Sequence, residues 1–222
     1  MRFEVCAESP GAVLAAVAAA ADRVELCADL GAGGVTPSAG LIEWAASRLP
    51  THVLIRPRPG DFVYTSDEVD VMLRDIAVAK AAGAAGIVLG ALTASGRVDV
   101  SLCERLVAAA RPASVTFHRA FDVAADPEAA FADVLSLGAD RLLTSGAAPS
   151  ALSGADLLAD LVRRAAGRLT ILAGGGVTAE TAAELVRRTG VGELHFSARN
   201  SGPDGASLET RIQAIMAAVP AP

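Results

Sequence analysis

No run of lysine or arginine occurs anywhere in the 222-residue chain, whose formal net charge is −6. A phosphate backbone, in nucleic acid or on an anionic membrane surface, would find no basic footprint, so neither is an expected partner. Aromatic residues make up 4% of a chain that is 52% hydrophobic, so the core has to be filled by many small side chains, chiefly Ala, Val and Leu. The three cysteines, Cys6, Cys27 and Cys103, form no CxxC pair and no even disulfide set, which points to a reducing cytoplasm. With three methionines and no histidine-rich tract, the chain cannot store metal in quantity. The Ala-rich stretch from Ala12 to Ala21 follows Glu4 and Glu8 rather than a basic segment, so it reads as a helix of the mature protein and not as a signal-peptide core.

What is present is alternation. Short β-rich runs alternate with Ala/Leu-rich segments of helical length, which is the pattern of parallel strands joined by crossover helices. The expected strands are Phe3–Cys6, Arg23–Cys27, Val53–Arg58, Gly86–Leu92, Ser114–His118, Arg141–Ser145, Leu169–Ala173 and Glu193–Ser197. Helix starts are marked by Ser9-Pro10, Thr36-Pro37-Ser38, Ser66 to Glu68, Asp126-Pro127-Glu128 and Thr178 to Glu180. Gly83, Gly138 and Gly190 stand where a helix gives way to the next strand. Eight such units in a chain of this length predict one (β/α)8 barrel over residues 1–222, with its chemistry at the C-terminal ends of the strands. An open doubly wound sheet is disfavoured: the turn after the first strand, Ala7-Glu8-Ser9-Pro10-Gly11, is not glycine-rich, and no linker divides the chain.

In a closed barrel, residues i and i+2 of a strand share a face. Glu4, Cys6 and Glu8 therefore align, as do Arg23, Glu25 and Cys27. Adjacent parallel strands lie about 4.8 Å apart, so matched registers would bring Cys6 and Cys27 within reach of one soft ion; buried small hydrophobes are the bland alternative. Cys103, beside Leu102 and Leu106, reads as core. Arg56 and Arg58 flank Pro57 and form either an anion clamp or a layer neutralised by Glu4 and Glu25. His118, at the exit of the fifth strand, is a candidate general acid or base with Asp122 or Glu25 as partner, and His195 lies on the eighth strand. Glu8 and Thr144 complete the expected rim. Gly174, Gly175 and Gly176 after the seventh strand and Ser197-Ala198-Arg199 after the eighth would hold a phosphate or other small anion, or simply turn the chain.

The strings Glu4-Val5-Cys6, Ala21 to Cys27, Gly33 to Ser38, Ile55 to Phe62, Val115 to Asp122 and Leu143 to Gly146 together resemble the CutC family, described as copper-homeostasis proteins. The likeness covers nearly the whole chain; Pro59 departs from it, standing where the family string has Gly. The resemblance implies a (β/α)8 barrel, an oligomer (dimer or tetramer), cytoplasmic placement and Cu(I) held by Cys6 and Cys27. The Arg, His, Asp and Gly constellation has no evident purpose in holding Cu(I), and it keeps a second expectation open: an enzyme acting on a small anionic metabolite.

Overall fold

The computed structural model describes residues 1–197 and 206–219. Its strands close into one parallel barrel in sequence order: β1 (Arg2–Ala7), β2 (Arg23–Leu26), β3 (Thr51–Leu54), β4 (Gly86–Leu89), β5 (Ser114–Phe117), β6 (Arg141–Thr144), β7 (Thr170–Gly174) and β8 (Glu193–Phe196). β8 pairs with β1 to complete the cylinder. One helix follows each strand: α1 (Pro10–Ala18), α2 (Ala39–Ala46), α3 (Ser66–Ala81), α4 (Val100–Ala110), α5 (Pro127–Ser136), α6 (Ala155–Ala165), α7 (Ala179–Thr189) and α8 (Leu208–Ala218). The expected fold class is the observed one.

The helix starts follow from local chemistry. Ser9 accepts a hydrogen bond from Ala12 N ahead of Pro10, Asp126 does the same for Glu128 N and Ala129 N ahead of Pro127, and Thr65 with Glu68 forms a reciprocal capping box. α7 ends on Gly190 at φ +70°, a conformation that a Cβ would strain.

The main apolar core lies between the strands and the helices, with Phe117, Phe121, Phe131, Leu106 and Ile42 among its fully buried members. Cys103 belongs to it, and its burial pushes the thiol up to about 12. The barrel interior is different. A small apolar plug of Cys6, Cys27, Leu54 and Val88 sits above a floor of ionised side chains.

Several strands stop short of the expected ends. β3 begins at Thr51 and ends at Leu54, because Arg56 pairs with the loop after β2: its N–H donates to Thr36 Oγ1 and its carbonyl accepts from Thr36 N. The starting residues Thr51 and His52 add an inward imidazole to the interior. Glycines make room for such rings: a Cβ on Gly86 would stand 2.5 Å from the His52 ring, and one on Gly90 2.6 Å from the His118 ring. No helix among the described residues is long and apolar enough to cross a membrane.

Candidate functional site

The parallel register sets Glu4 beside both Arg23 and His195, and Cys6 beside Glu25. Glu4 is fully buried and receives Arg23 Nε at 2.5 Å and His195 Nδ1 at 2.8 Å. Burial alone would push this carboxyl up, but the His195 hydrogen bond and the Arg23 charge hold it well below the usual carboxylate range. Arg23 also reaches Glu193 Oε2 at 2.5 Å, and Glu193 takes a further bond from Arg141 at 2.9 Å. Every charge of the floor therefore has an opposite partner, as burial requires. His52 lies over this layer and is kept neutral, at about 4, by burial and by the Arg23 and Arg141 guanidiniums.

Above the floor, Cys6 Sγ and Cys27 Sγ approach to 3.8 Å. Cys6 stands 3.5 Å from Glu25 Oε2, and His195 Nε2 lies 3.5 Å from that same oxygen. Ligand atoms of Cys6, Glu25 and His195 all fall within 4.8 Å of one another. Glu4 anchors Nδ1 of His195, so Nε2 is the nitrogen turned toward Glu25 and Cys6, an arrangement common to histidines that ligate metals. Burial opposes a charge on His195, but the Glu25 and Glu4 carboxylates raise its pKa above the ordinary imidazole value. The contact with Cys27, burial and the Glu25 charge all push the Cys6 thiol well up, and burial likewise raises Glu25. Together these residues form one wall of a cavity of about 250 Å³ at the barrel mouth.

The opposite wall is cationic. Arg56 and Arg119 line it with His118, Phe62, Leu54, Leu143 and Leu30. Arg56 is buried, hydrogen-bonded to the carbonyls of Gly34 and Gly60, and stacked over the Phe62 ring at 4.8 Å. His118 Nδ1 accepts from Ala120 N, which assigns the ring proton to Nε2. Burial and the Arg56 charge lower its pKa to about 3. In this setting the neutral His118 ring presents Nε2–H as a hydrogen-bond donor.

Other expected site residues lie elsewhere or do other work. Arg58 falls beyond the end of β3, where strand alternation no longer aims it beside Arg56. Its guanidinium turns outward to Glu68 at 2.5 Å and Asp61 at 2.9 Å, so the two arginines expected to stand together are separated and only Arg56 lines the cavity. Neither Glu4 nor Glu25 neutralises Arg56; Glu4 is taken by Arg23. Asp122, expected as the partner of His118, spends its carboxylate on other groups. Its carboxylate receives Thr144 Oγ1 at 2.5 Å, Ser145 N and Ala147 N at 3.1 Å, and Arg119 Nε at 2.7 Å. It thereby ties the loop after β6 to the turn after β5, consumes Thr144, and aims Arg119 into the cavity. Arg119 was missed by the sequence reading, although its i,i+3 spacing to Asp122 was the available signal.

Glu8 accepts from Leu30 N at 2.8 Å and, with Ser197, lines a smaller crevice of about 70 Å³ against α8. Gly174 leaves space for Leu143 and His195. Gly175 and Gly176 turn the chain at φ +108° and +68°, and none of the three lines the cavity. Ala198 and Arg199 lie outside the described residues.

Comparison with known proteins places this geometry in context. The model of the CutC family matches residues 1–200. A CutC family protein of Pasteurella multocida is 48% identical over 201 residues, covering 90% of this chain and 82% of that protein. A human protein named copper homeostasis protein cutC homolog is 43% identical over 219 residues, covering 98% and 80%. The crystal structure of a CutC protein from Streptococcus agalactiae superposes with a TM-score of 0.83 at 34% identity, covering 88% of this chain and 98% of that one.

Proposed function

The chain belongs to the CutC family, and from that premise we propose that it binds Cu(I) through the Cys6 and Cys27 thiolates and serves copper homeostasis in a reducing cytoplasm. The name of the human relative supports the copper role. The observation that carries the reading is the 3.8 Å approach of two thiols contributed by neighbouring strands. Cu(I) favours soft thiolate ligands over carboxylate and water, and a protein pocket holding both sulfurs on one side supplies them.

The proposed ligand set includes a third residue, His195. Metal–thiolate bonds of about 2.3 Å would require about 4.6 Å between sulfurs on opposite sides of one ion. At 3.8 Å the pair would form a bent edge instead, with Glu25 and His195 on its Cys6 side, within 4.8 Å of the Cys6 thiol. His195 Nε2, held in orientation by its bond from Nδ1 to Glu4, would be the third ligand once Cys27 closed on an ion held at Cys6.

Loading must displace protons, because the Cys6 thiol is held protonated by its surroundings. The Glu25 carboxylate 3.5 Å away is the nearest acceptor for that proton. Affinity then falls as pH falls. Titration of Cu(I) against a strong competing chelator tests the reading. Cys6→Ser and Cys27→Ser each weaken binding by at least roughly tenfold if the thiols are the ligands; equal affinity in all three proteins eliminates it.

A further inference from the structure

Arg56 is a buried cation whose hydrogen bonds, among the described residues, go to two carbonyls and to no carboxylate. Its Nε–H makes no hydrogen bond, with the buried Tyr64 hydroxyl beside the guanidinium, and Nε2 of His118, which is 5% exposed and lines the same cavity, makes none either. A buried guanidinium without a counter-charge and a buried imidazole N–H without an acceptor are each costly. An oxyanion in the cavity that both residues line would supply the counter-charge that Arg56 lacks. Arg119 stands on the same wall with its charge already matched by Asp122 at 2.7 Å, so its remaining N–H groups can donate without adding uncompensated charge.

We infer that this wall is a binding site for a small carboxylate, with Arg56 as counter-charge and His118 Nε2 and Arg119 as further donors. Charge sets the class. The wall carries one unmatched positive charge, that of Arg56, which a monoanion balances. A phosphate dianion would leave excess negative charge across the cavity from Glu25. Lining by Leu30, Leu54, Phe62 and Leu143 suits a short apolar body behind the carboxylate. The cavity, about 250 Å³, is below the roughly 300–1,000 Å³ typical of drug-sized ligands, so the occupant is a small metabolite. The site shares the barrel mouth with the thiols but uses different residues and does not rest on the metal reading.

The test measures thermal shift and calorimetric affinity for acetate, lactate and inorganic phosphate, at constant ionic strength set with chloride. A ligand that binds only the folded state must raise the Tm. Carboxylates are expected to stabilise the wild-type protein more than phosphate does. Arg56→Met and Arg119→Met should each weaken carboxylate binding by roughly tenfold or more, as loss of a charge-assisted bond predicts. Arg58→Met carries the same change in charge outside the cavity and should bind as the parent does. Should Arg56→Met fail to fold, Arg119→Met still decides, because its side chain is half exposed. Phosphate binding tighter than carboxylate overturns the assigned class. No shift with any carboxylate, or equal affinity in Arg119→Met and Arg58→Met, overturns the site. Carboxylate binding retained in Cys6→Ser and Cys27→Ser is expected, which keeps this outcome separate from the fate of the Cu(I) proposal.

Discussion

Replacing Arg23 with methionine deletes one guanidinium from the barrel floor while keeping an unbranched apolar stem. Arg23 is 4% exposed and bridges Glu4 and Glu193, each at 2.5 Å. Removing one partner of a buried ion pair costs about 3–5 kcal/mol, since the other charge stays buried without its match. The structure places this case near the lower bound: Glu4 keeps His195 at 2.8 Å, and Glu193 keeps Arg141 at 2.9 Å. In a domain of this size each kcal/mol shifts the Tm by about 2–4 °C, so a loss of about 3 kcal/mol lowers it by roughly 6–12 °C.

The deficit has a definite dependence on pH. His195 and Arg23 hold the Glu4 carboxyl well below its ordinary value against the effect of burial, and loss of Arg23 lets it rise. The stability that Arg23 confers through Glu4 is present above the unfolded carboxyl value of about 4.3 and is lost as pH falls through the folded one. Melting followed by circular dichroism at several pH values therefore shows the gap between wild type and variant narrowing in acid. The double variant Arg23→Met/Glu4→Gln should recover part of the loss, because the two residues are coupled. An unchanged Tm, or strictly additive losses, would refute the argument that these charges neutralise one another.

Further outcomes follow from the same interior. Glu4→Gln removes the charge that orients His195 and should lower Cu(I) affinity by about 10–100-fold in chelator competition, as loss of an outer-shell partner does; unchanged affinity argues against His195 as a ligand. His52 and His118 are held neutral in the native state, at about 4 and about 3, while the unfolded chain takes up these protons near 6.5. Their contribution is thus full above pH about 6.5 and lost as pH falls toward those values, whereas His195, raised in the native state, contributes in the opposite sense. His52→Asn should flatten the acid limb of urea-measured stability, and an unaltered limb would contradict this. Gly90→Ala would put a methyl 2.6 Å from the His118 ring, which predicts a loss of about 1–3 kcal/mol in denaturant unfolding; a neutral result would mean that the ring has room to move.

The sequence was informative wherever strand alternation held. The i,i+2 rule put Glu4 and Cys6 on one face of β1 and Arg23, Glu25 and Cys27 on one face of the next strand, and a register that pairs Glu4 with Arg23 and Cys6 with Glu25 brings the two sets together inside the barrel, with Cys27 one step beyond. It misled where a strand ended early. β3 stops at Leu54, so nothing obliges Arg58 to follow Arg56 inward, and the carboxylates of Asp61 and Glu68 capture it. Asp122 illustrates another limit: its nearness to His118 in sequence does not reveal that the backbone N–H groups of the loop after β6 claim its oxygens. His52 escaped notice because the expected third strand begins at Val53, whereas β3 begins at Thr51. What makes His52 and His118 fit, the absence of a side chain at Gly86 and Gly90, becomes visible only once the strands are paired.

X-ray absorption at the copper edge, on protein loaded with one equivalent of Cu(I), would examine the ligand set itself. The account predicts a first shell with two sulfur scatterers and one nitrogen scatterer, losing a sulfur in either Cys6→Ser or Cys27→Ser and the nitrogen in His195→Ala. A first shell of nitrogen and oxygen alone, or a spectrum unaltered in both cysteine variants, would contradict it.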